Sequence, residues 1–332
     1  MLGDRLAART LELIDIPSES RDEAGVAAHI AELTGAQDLG DTCLAVRRNA
    51  PVLLAGHLDT VPAQDNIPGR RDDERVHGLG ASDMKGALAV MIELARADAP
   101  FDCLFFGREE LASQYSALTP LLERERLDYE LVVMMEPTGN ELHAGCVGNM
   151  NATWTFTGRS AHSARPWDGE NAIHAAARGI AQLAEFEREE HVFDGLTFYE
   201  VASVTTIAGG IATNVIPDRV ECGVNYRYAP GRTPEEAAAR LAELCPGDLR
   251  IDSLAPSGPV AVANPRARAL IAAGELTVAP KQAWTPVAEF GAAGLDAVNF
   301  GPGEPAKAHT RDESVEIAAL VRSYRVLEDW AR

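Results

Sequence analysis

Pro51-Val52-Leu53-Leu54-Ala55-Gly56-His57-Leu58-Asp59-Thr60-Val61-Pro62 opens the stretch that decides the fold, and Gly78-Leu79-Gly80-Ala81-Ser82-Asp83-Met84-Lys85-Gly86 closes it. The unbroken apolar run Val52 to Ala55 is too short for a helix and suits a strand buried on both faces of a parallel sheet. His57 and Asp59 stand at its carboxyl end, two residues apart, so their side chains share a face. In open α/β sheets, ligands gather at the carboxyl ends of the strands. An imidazole beside a carboxylate supplies one metal ligand and one group able to hold the ring's other N–H. Asp83 follows a glycine-rich turn and opens a helical run, Met84 to Ala97, whose N-terminus favours an ionised carboxylate.

A lone H-x-D is most often a surface pair or a helix cap, so the weight rests on repetition. Phe101 to Phe106 is a second apolar run and ends at Arg108, Glu109 and Glu110. Leu131 to Met135 is a third and ends at Glu136; Ala297 to Phe300 is a fourth and leads through Gly301-Pro302-Gly303 to His309. Four expected strands each deliver a histidine or an acid to one edge of a sheet. Together His57, Asp83, Glu110, Glu136 and His309 form a nitrogen-and-oxygen set suited to zinc, with cobalt or manganese as substitutes. Five ligands exceed what one tetrahedral zinc uses. Two ions bridged by one carboxylate are the economical reading.

The phrases G-H-L-D-T-V-P, G-A-S-D-M-K-G, R-E-E, M-E-P-T and A-H-T-R-D-E, in this order and spacing, resemble the co-catalytic dizinc amidohydrolase superfamily of aminoacylases, deacetylases, carboxypeptidases and desuccinylases. The similarity spans nearly the whole chain. The longer phrases L-A-G-H-L-D-T-V-P-A-Q-D-N-I-P and N-F-G-P-G-E-P-A-K-A-H-T-R-D-E are most similar to the desuccinylases in their actinobacterial form. The resemblance implies an α/β fold: a dizinc-peptidase-like catalytic domain, a mostly parallel sheet flanked by helices, formed by residues 1–147 and 261–332. Residues 148–260 then form an inserted α+β dimerisation or lid domain, and the chain is expected to be a homodimer. The strand–helix–strand–strand–helix–strand order expected between Asn151 and Leu254 fits such an insertion.

Further roles come with the resemblance. Asp83 would bridge, His57 and Glu136 would complete one ion, Glu110 and His309 the other, and Asp59 would orient His57. Glu109, beside a ligand on the strand's end, is the general acid/base. The Asp83–Met84 peptide matches a position that is cis in the family. His162, in G-R-S-A-H-S-A-R-P, matches a histidine that reaches the partner subunit's site and stabilises the oxyanion, and Asn214 and Arg227 match substrate-contacting positions. Two departures bear on the substrate pockets. Gly145-Cys146-Val147-Gly148-Asn149 stands where many desuccinylases carry arginines, and Ala283-Trp284-Thr285-Pro286-Val287-Ala288-Glu289 replaces T-x-G-G-T-S-D. The remaining histidines (His29, His77, His143, His174, His191) read as structural or surface, and Lys85 as a helix-surface residue.

At 332 residues two domains are expected, and 46% hydrophobic with 24% charged residues is an ordinary globular balance. No apolar run reaches the ~18 residues a membrane span needs. The first residues lack the form of a signal peptide, and five scattered cysteines without C-x-x-C point to a reducing cytoplasm. A net charge of −20 argues against nucleic acid or an anionic membrane as partner. It leaves room for a small acidic substrate, because local arginines dominate within a Debye length of about 8–10 Å. The expected reaction is hydrolysis of an acyl-amino-acid amide. Rival readings are another deacylase or peptidase on the same scaffold, such as an acetylornithine deacetylase, and a metal-binding homologue without catalysis. The last is disfavoured, because Glu109 and all five ligands are present.

Overall fold

Four of the strands of an eight-stranded sheet lie side by side and parallel, and they are the four apolar runs described above. Asp102–Phe106 pairs with Val52–His57, Val52–His57 with Leu131–Met134, and Leu131–Met134 with Ala297–Asn299. Every residue of these strands is buried, which is why they read as continuous apolar runs rather than alternating ones. Beyond Asp102–Phe106 the sheet continues antiparallel through Cys43–Val46 to Gln37–Gly40. Beyond Ala297–Asn299 it continues antiparallel to Leu142–Ala144 and then parallel to Val278–Pro280. The computed structural model describes all 332 residues. They divide into two units: Met1–Gly145 with Gly258–Lys281 and Thr285–Arg332, and Cys146–Ser257 with Gln282–Trp284.

In the first unit, the helix Gly86–Arg96 is buried from Gly86 to Ala95, and helices Leu2–Ile14 and Ile317–Trp330 pack against it. A helix apolar on all sides belongs inside a large core. Lys85, immediately before it, is a correction to the sequence reading: it is 1% exposed, and its Nζ donates to the Ile16 carbonyl at 2.8 Å. Regular helix starts at Gly86 rather than Met84, because Asp83 and Met84 have non-helical backbone angles. Ser314–Glu316, just before the last helix, is a short strand paired with Arg75–His77. No helix is long and apolar enough to cross a membrane.

The second unit is a five-stranded antiparallel sheet in the order Glu189–Phe193, Leu196–Gly209, Arg219–Tyr228, Gly148–Thr157, Asp248–Ala255. Its first strand, rich in acids and at the edge, was not expected from the sequence. Even-numbered residues of the two central strands (Ala152, Trp154, Cys222, Val224, Tyr226) form one apolar face. Helices Ala172–Leu183 and Pro234–Leu244 share that core through Ala176, Leu183 and Leu241. Asn171 caps the first helix, and Thr233 with Glu236 forms a capping box on the second. The odd-numbered face carries Asn151, Thr153, Asn225 and Arg227. The unit begins at Cys146 rather than 148 and ends at Ser257 rather than 260. It also takes in Gln282–Trp284, because Gln282 exchanges hydrogen bonds with the Tyr199 backbone and Trp284 donates to the Pro256 carbonyl.

Candidate metal centre

The parallel register places His57, the Glu109–Glu110 turn, Glu136 and the loop to His309 at one edge of the first unit's sheet. Two backbone approaches hold these loops together. A Cβ on Gly301 would lie 2.5 Å from the Glu136 carbonyl oxygen, and one on Gly303 would lie 2.1 Å from that of Ser82. Only glycine fits at such contacts.

Asp83 is at the centre. Its Oδ1 lies 3.0 Å from His57 Nε2 and its Oδ2 lies 3.5 Å from His309 Nε2. His57 Nε2 is also 4.0 Å from Glu136 Oε1, and His309 Nε2 is 2.9 Å from Glu110 Oε1. His57, Asp83 and Glu136 therefore form one cluster whose donor atoms all lie within 4.8 Å, and Asp83, Glu110 and His309 form a second. Asp83 belongs to both and turns one oxygen to each. The Asp83–Met84 peptide bond is cis.

The donor set fits divalent cations on two observations. Glu136 Oε1 is buried without a hydrogen-bond partner, which is costly unless something electropositive faces it. Four carboxylates (Asp83, Glu109, Glu110, Glu136) also crowd two imidazoles, and the protonation pattern registers the strain. Burial, then repulsion from Asp83, pushes Glu136 up to about 7. Burial, with added repulsion from Glu136, Glu110 and Asp83, holds Glu109 well above the usual carboxylate range despite the pull of His57. Burial would raise Asp83 too, but hydrogen bonds with His309 and His57 hold it low. His309 is pushed up to about 10 by Asp83 and then Glu110. Cations in the two clusters would take over the role of those protons.

A pH dependence follows. Glu136 rises to about 7 from 4.5 and His309 to about 10 from 6.5, so the folded metal-free protein keeps protons that the unfolded chain has released. Stability therefore falls as pH rises across these windows. Chelator-treated protein should lose thermal stability steadily between about pH 5 and 8, whereas zinc-loaded protein should be nearly flat. A metal-free midpoint that rises over that range would contradict these proton assignments.

Asp59 sits behind the centre, 1% exposed. Its carboxylate accepts the backbone N–H of Glu109 (3.0 Å) and of Glu110 (3.1 Å) and the Ser20 hydroxyl. His57 Nδ1 lies 3.0 Å from the Asp59 carbonyl oxygen and 3.7 Å from its carboxylate. The Asp59 backbone thus contacts the ring, while its side chain fixes the Glu109–Glu110 turn. Glu23 adds a second hold there, accepting Arg108 N–H at 3.1 Å. Neither contact has a signature in the sequence.

In the second unit, His162 and Asn214 lie on paired loops: Ser163 N–H donates to the Asn214 carbonyl, and His162 Nδ1 accepts from Ala164 N–H. Arg227 stands on the polar sheet face, its Nε donating to Asn225 Oδ1 at 3.0 Å. His191 has more acidic company than its sequence suggests, near Glu189 and Glu200. Arg232 and Arg240 already pair with those acids, so the group is an ion-pair network.

Residues 53–332 match the model of peptidase family M20/M25/M40. The chain belongs to that family. It is 38% identical over 338 residues to a putative succinyl-diaminopimelate desuccinylase of Mycobacterium tuberculosis, covering 96% of this chain and 95% of the relative. It is 34% identical over 358 residues to a succinyl-diaminopimelate desuccinylase of Corynebacterium glutamicum, covering 98% and 96%. The M20 fold is matched by the aminopeptidase PepT of Bacillus cereus with a TM-score of 0.79 over 99% of each chain, at 19% identity. Membership makes this chain a metal-dependent amidohydrolase.

Proposed function

We propose that this M20 enzyme hydrolyses N-succinyl-L,L-2,6-diaminopimelate to succinate and L,L-2,6-diaminopimelate, with two zinc ions held by His57, Asp83, Glu110, Glu136 and His309. The observation that carries the chemistry is the double cluster sharing Asp83, one oxygen toward each imidazole. The substrate rests on the two relatives, which span nearly the whole chain. Zinc held there supplies Lewis acidity toward the amide carbonyl and makes hydroxide available near neutral pH. Glu109 takes a proton from the attacking water and hands it to the departing nitrogen. Burial, with added repulsion from the neighbouring carboxylates, favours its protonated state, which suits the second of those transfers. His162 donates to the oxyanion, and Asn214 and Arg227 hold the substrate. The reaction runs in the cytoplasm. All five cysteines are buried and none forms a disulfide, as a reducing compartment would have it.

Acetylornithine deacetylase is the second reading. It is favoured by Cys146 and Val147, which are fully buried and apolar where many desuccinylases place arginines. A ninhydrin assay of zinc-loaded protein against succinyl-diaminopimelate, acetylornithine and a dipeptide decides between them, with elemental analysis to count metal. Zinc that never exceeds one ion per chain at saturation would defeat the bridged pair.

The active enzyme is a homodimer in this proposal. The second unit has two edge strands, Glu189–Phe193 and Asp248–Ala255, and exposed Val192, Ile207, Ile211 and Ile251. Uncovered strand edges with apolar residues favour pairing with a second copy. With His162 serving the partner's site, mixed Glu109→Gln and His162→Ala chains, each inactive alone, should recover part of the activity. No recovery from proven heterodimers would return His162 to its own chain.

A further inference from the structure

Glu313 lies four residues beyond His309 and is 2% exposed. Its carboxylate accepts three backbone N–H groups: Gly80 on Oε2 at 2.8 Å, and Ser82 and Asp83 on Oε1 at 3.0 and 2.9 Å. Its own carbonyl accepts the Gly78 N–H at 3.0 Å. The segment that carries Asp83 is thus held at four points by one residue.

The turn needs such a partner. Asp83 (φ −125°, ψ 90°) and Met84 (φ −135°, ψ 34°) are not helical, so the helix that follows cannot offer its ladder to these amides. Buried N–H groups require acceptors. A carboxylate is an expensive choice of acceptor, because its charge must leave water. Lys85, on the same turn, is buried as well, its Nζ donating to the Ile16 carbonyl at 2.8 Å, and its charge attracts Glu313. A neutral asparagine or a serine would serve packing alone. The charge-assisted hold gains shorter, stronger bonds and a fixed geometry.

The geometry points to a role in the metal centre. We infer that Glu313 is a positioning residue: it sets Asp83 in register with His309 before any ion binds. His309 and the clamp on Asp83 belong to one five-residue run, so two ligands of the cluster formed with Glu110 are placed by the same stretch of chain. The hydrogen bonds of the Glu313 carboxylate go to backbone N–H groups. Its effect passes through the Asp83 backbone to the orientation of the two carboxylate oxygens. The inference rests on the bridged-pair reading above.

The test is zinc binding to the full-length chain by chelator competition, wild type beside Glu313→Gln. Glutamine keeps the size but turns an NH2 group toward an N–H that had an acceptor. The weaker of the two zinc dissociation constants should rise 10- to 100-fold, the scale seen when groups behind metal ligands are replaced. The absorption of the cobalt(II)-substituted protein should change with it. A merely structural glutamate would lower the thermal midpoints of metal-free and zinc-loaded protein equally and leave both constants alone, which would overturn the inference. A wild type that takes up no zinc removes the metal centre and this role together, whereas unchanged constants in the variant remove Glu313 alone. Hydrogen exchange on the metal-free wild type tests the same idea without any variant. The amides of Gly80, Ser82 and Asp83 should be protected before zinc is added. Fast exchange that slows only with zinc would mean that the metal, not Glu313, orders the turn.

Discussion

Glu109→Gln should bind as much zinc as the wild type and lose turnover by about 10²- to 10⁴-fold, the range typical of a general acid/base. That loss corresponds to about 2.7–5.5 kcal/mol of transition-state stabilisation. The glutamine keeps the volume and leaves the backbone contact untouched, since the Asp59 carboxylate holds position 109 by its N–H. What disappears is a group able to accept and release a proton beside His57 and Glu110. The signature is a fall in kcat with KM little changed, because the lost interaction acts only along the reaction path. Near-normal turnover with zinc bound would remove Glu109 from the chemistry. Loss of zinc along with activity would make it a ligand instead.

The reason the centre can be read from sequence is geometric. A parallel strand buried on both faces has no polar alternation to blur it, so Val52 to Ala55 and its three counterparts stand out as apolar blocks. The polar residues that follow these blocks emerge at the same edge, where His57, Glu109, Glu110 and Glu136 lie. The supports behind that edge are not legible in the same way. Glu313 follows Arg311 and Asp312 and reads as part of a solvated charged run, yet it is buried on amides more than 200 residues away in the chain. Lys85 looks like a surface lysine until the helix beside it proves to be buried all round and Ile16 supplies the acceptor. The strand Glu189–Phe193 has an edge strand's charge content and no apolar alternation. Each of these depends on long-range pairing that local pattern does not encode.

Arg227→Ala should produce the other large effect, a steep fall in kcat/KM for succinyl-diaminopimelate. A succinyl group ends in a carboxylate and an acetyl group does not, so discrimination between them needs a cation at the acyl end. With Cys146 and Val147 buried and apolar, three arginines of the second unit remain as candidates. Arg159 is paired with Glu170 at 3.2 Å, and Arg165 lies 3.8 Å from Asp168. Arg227 differs from both. No carboxylate of the chain pairs with it, its Nε is steered by Asn225, and partial burial lowers its guanidinium's hold on the proton. In a chain with 50 acidic residues against 30 basic ones, an arginine kept away from every acid is available to an anionic ligand. Its planar fork suits a carboxylate in bidentate fashion. Sites built to pair such a group reject analogues lacking it by as much as about 10⁴-fold, since their own group is left unpaired. The wild type should therefore prefer succinyl-diaminopimelate to acetylornithine, and Arg227→Ala should narrow that preference if the arginine holds the acyl end. An equal loss on both substrates would place it at the amino-acid carboxylate they share. If acetylornithine proves the better substrate of the wild type, the desuccinylase reading fails and the metal-dependent amidohydrolase stands without it.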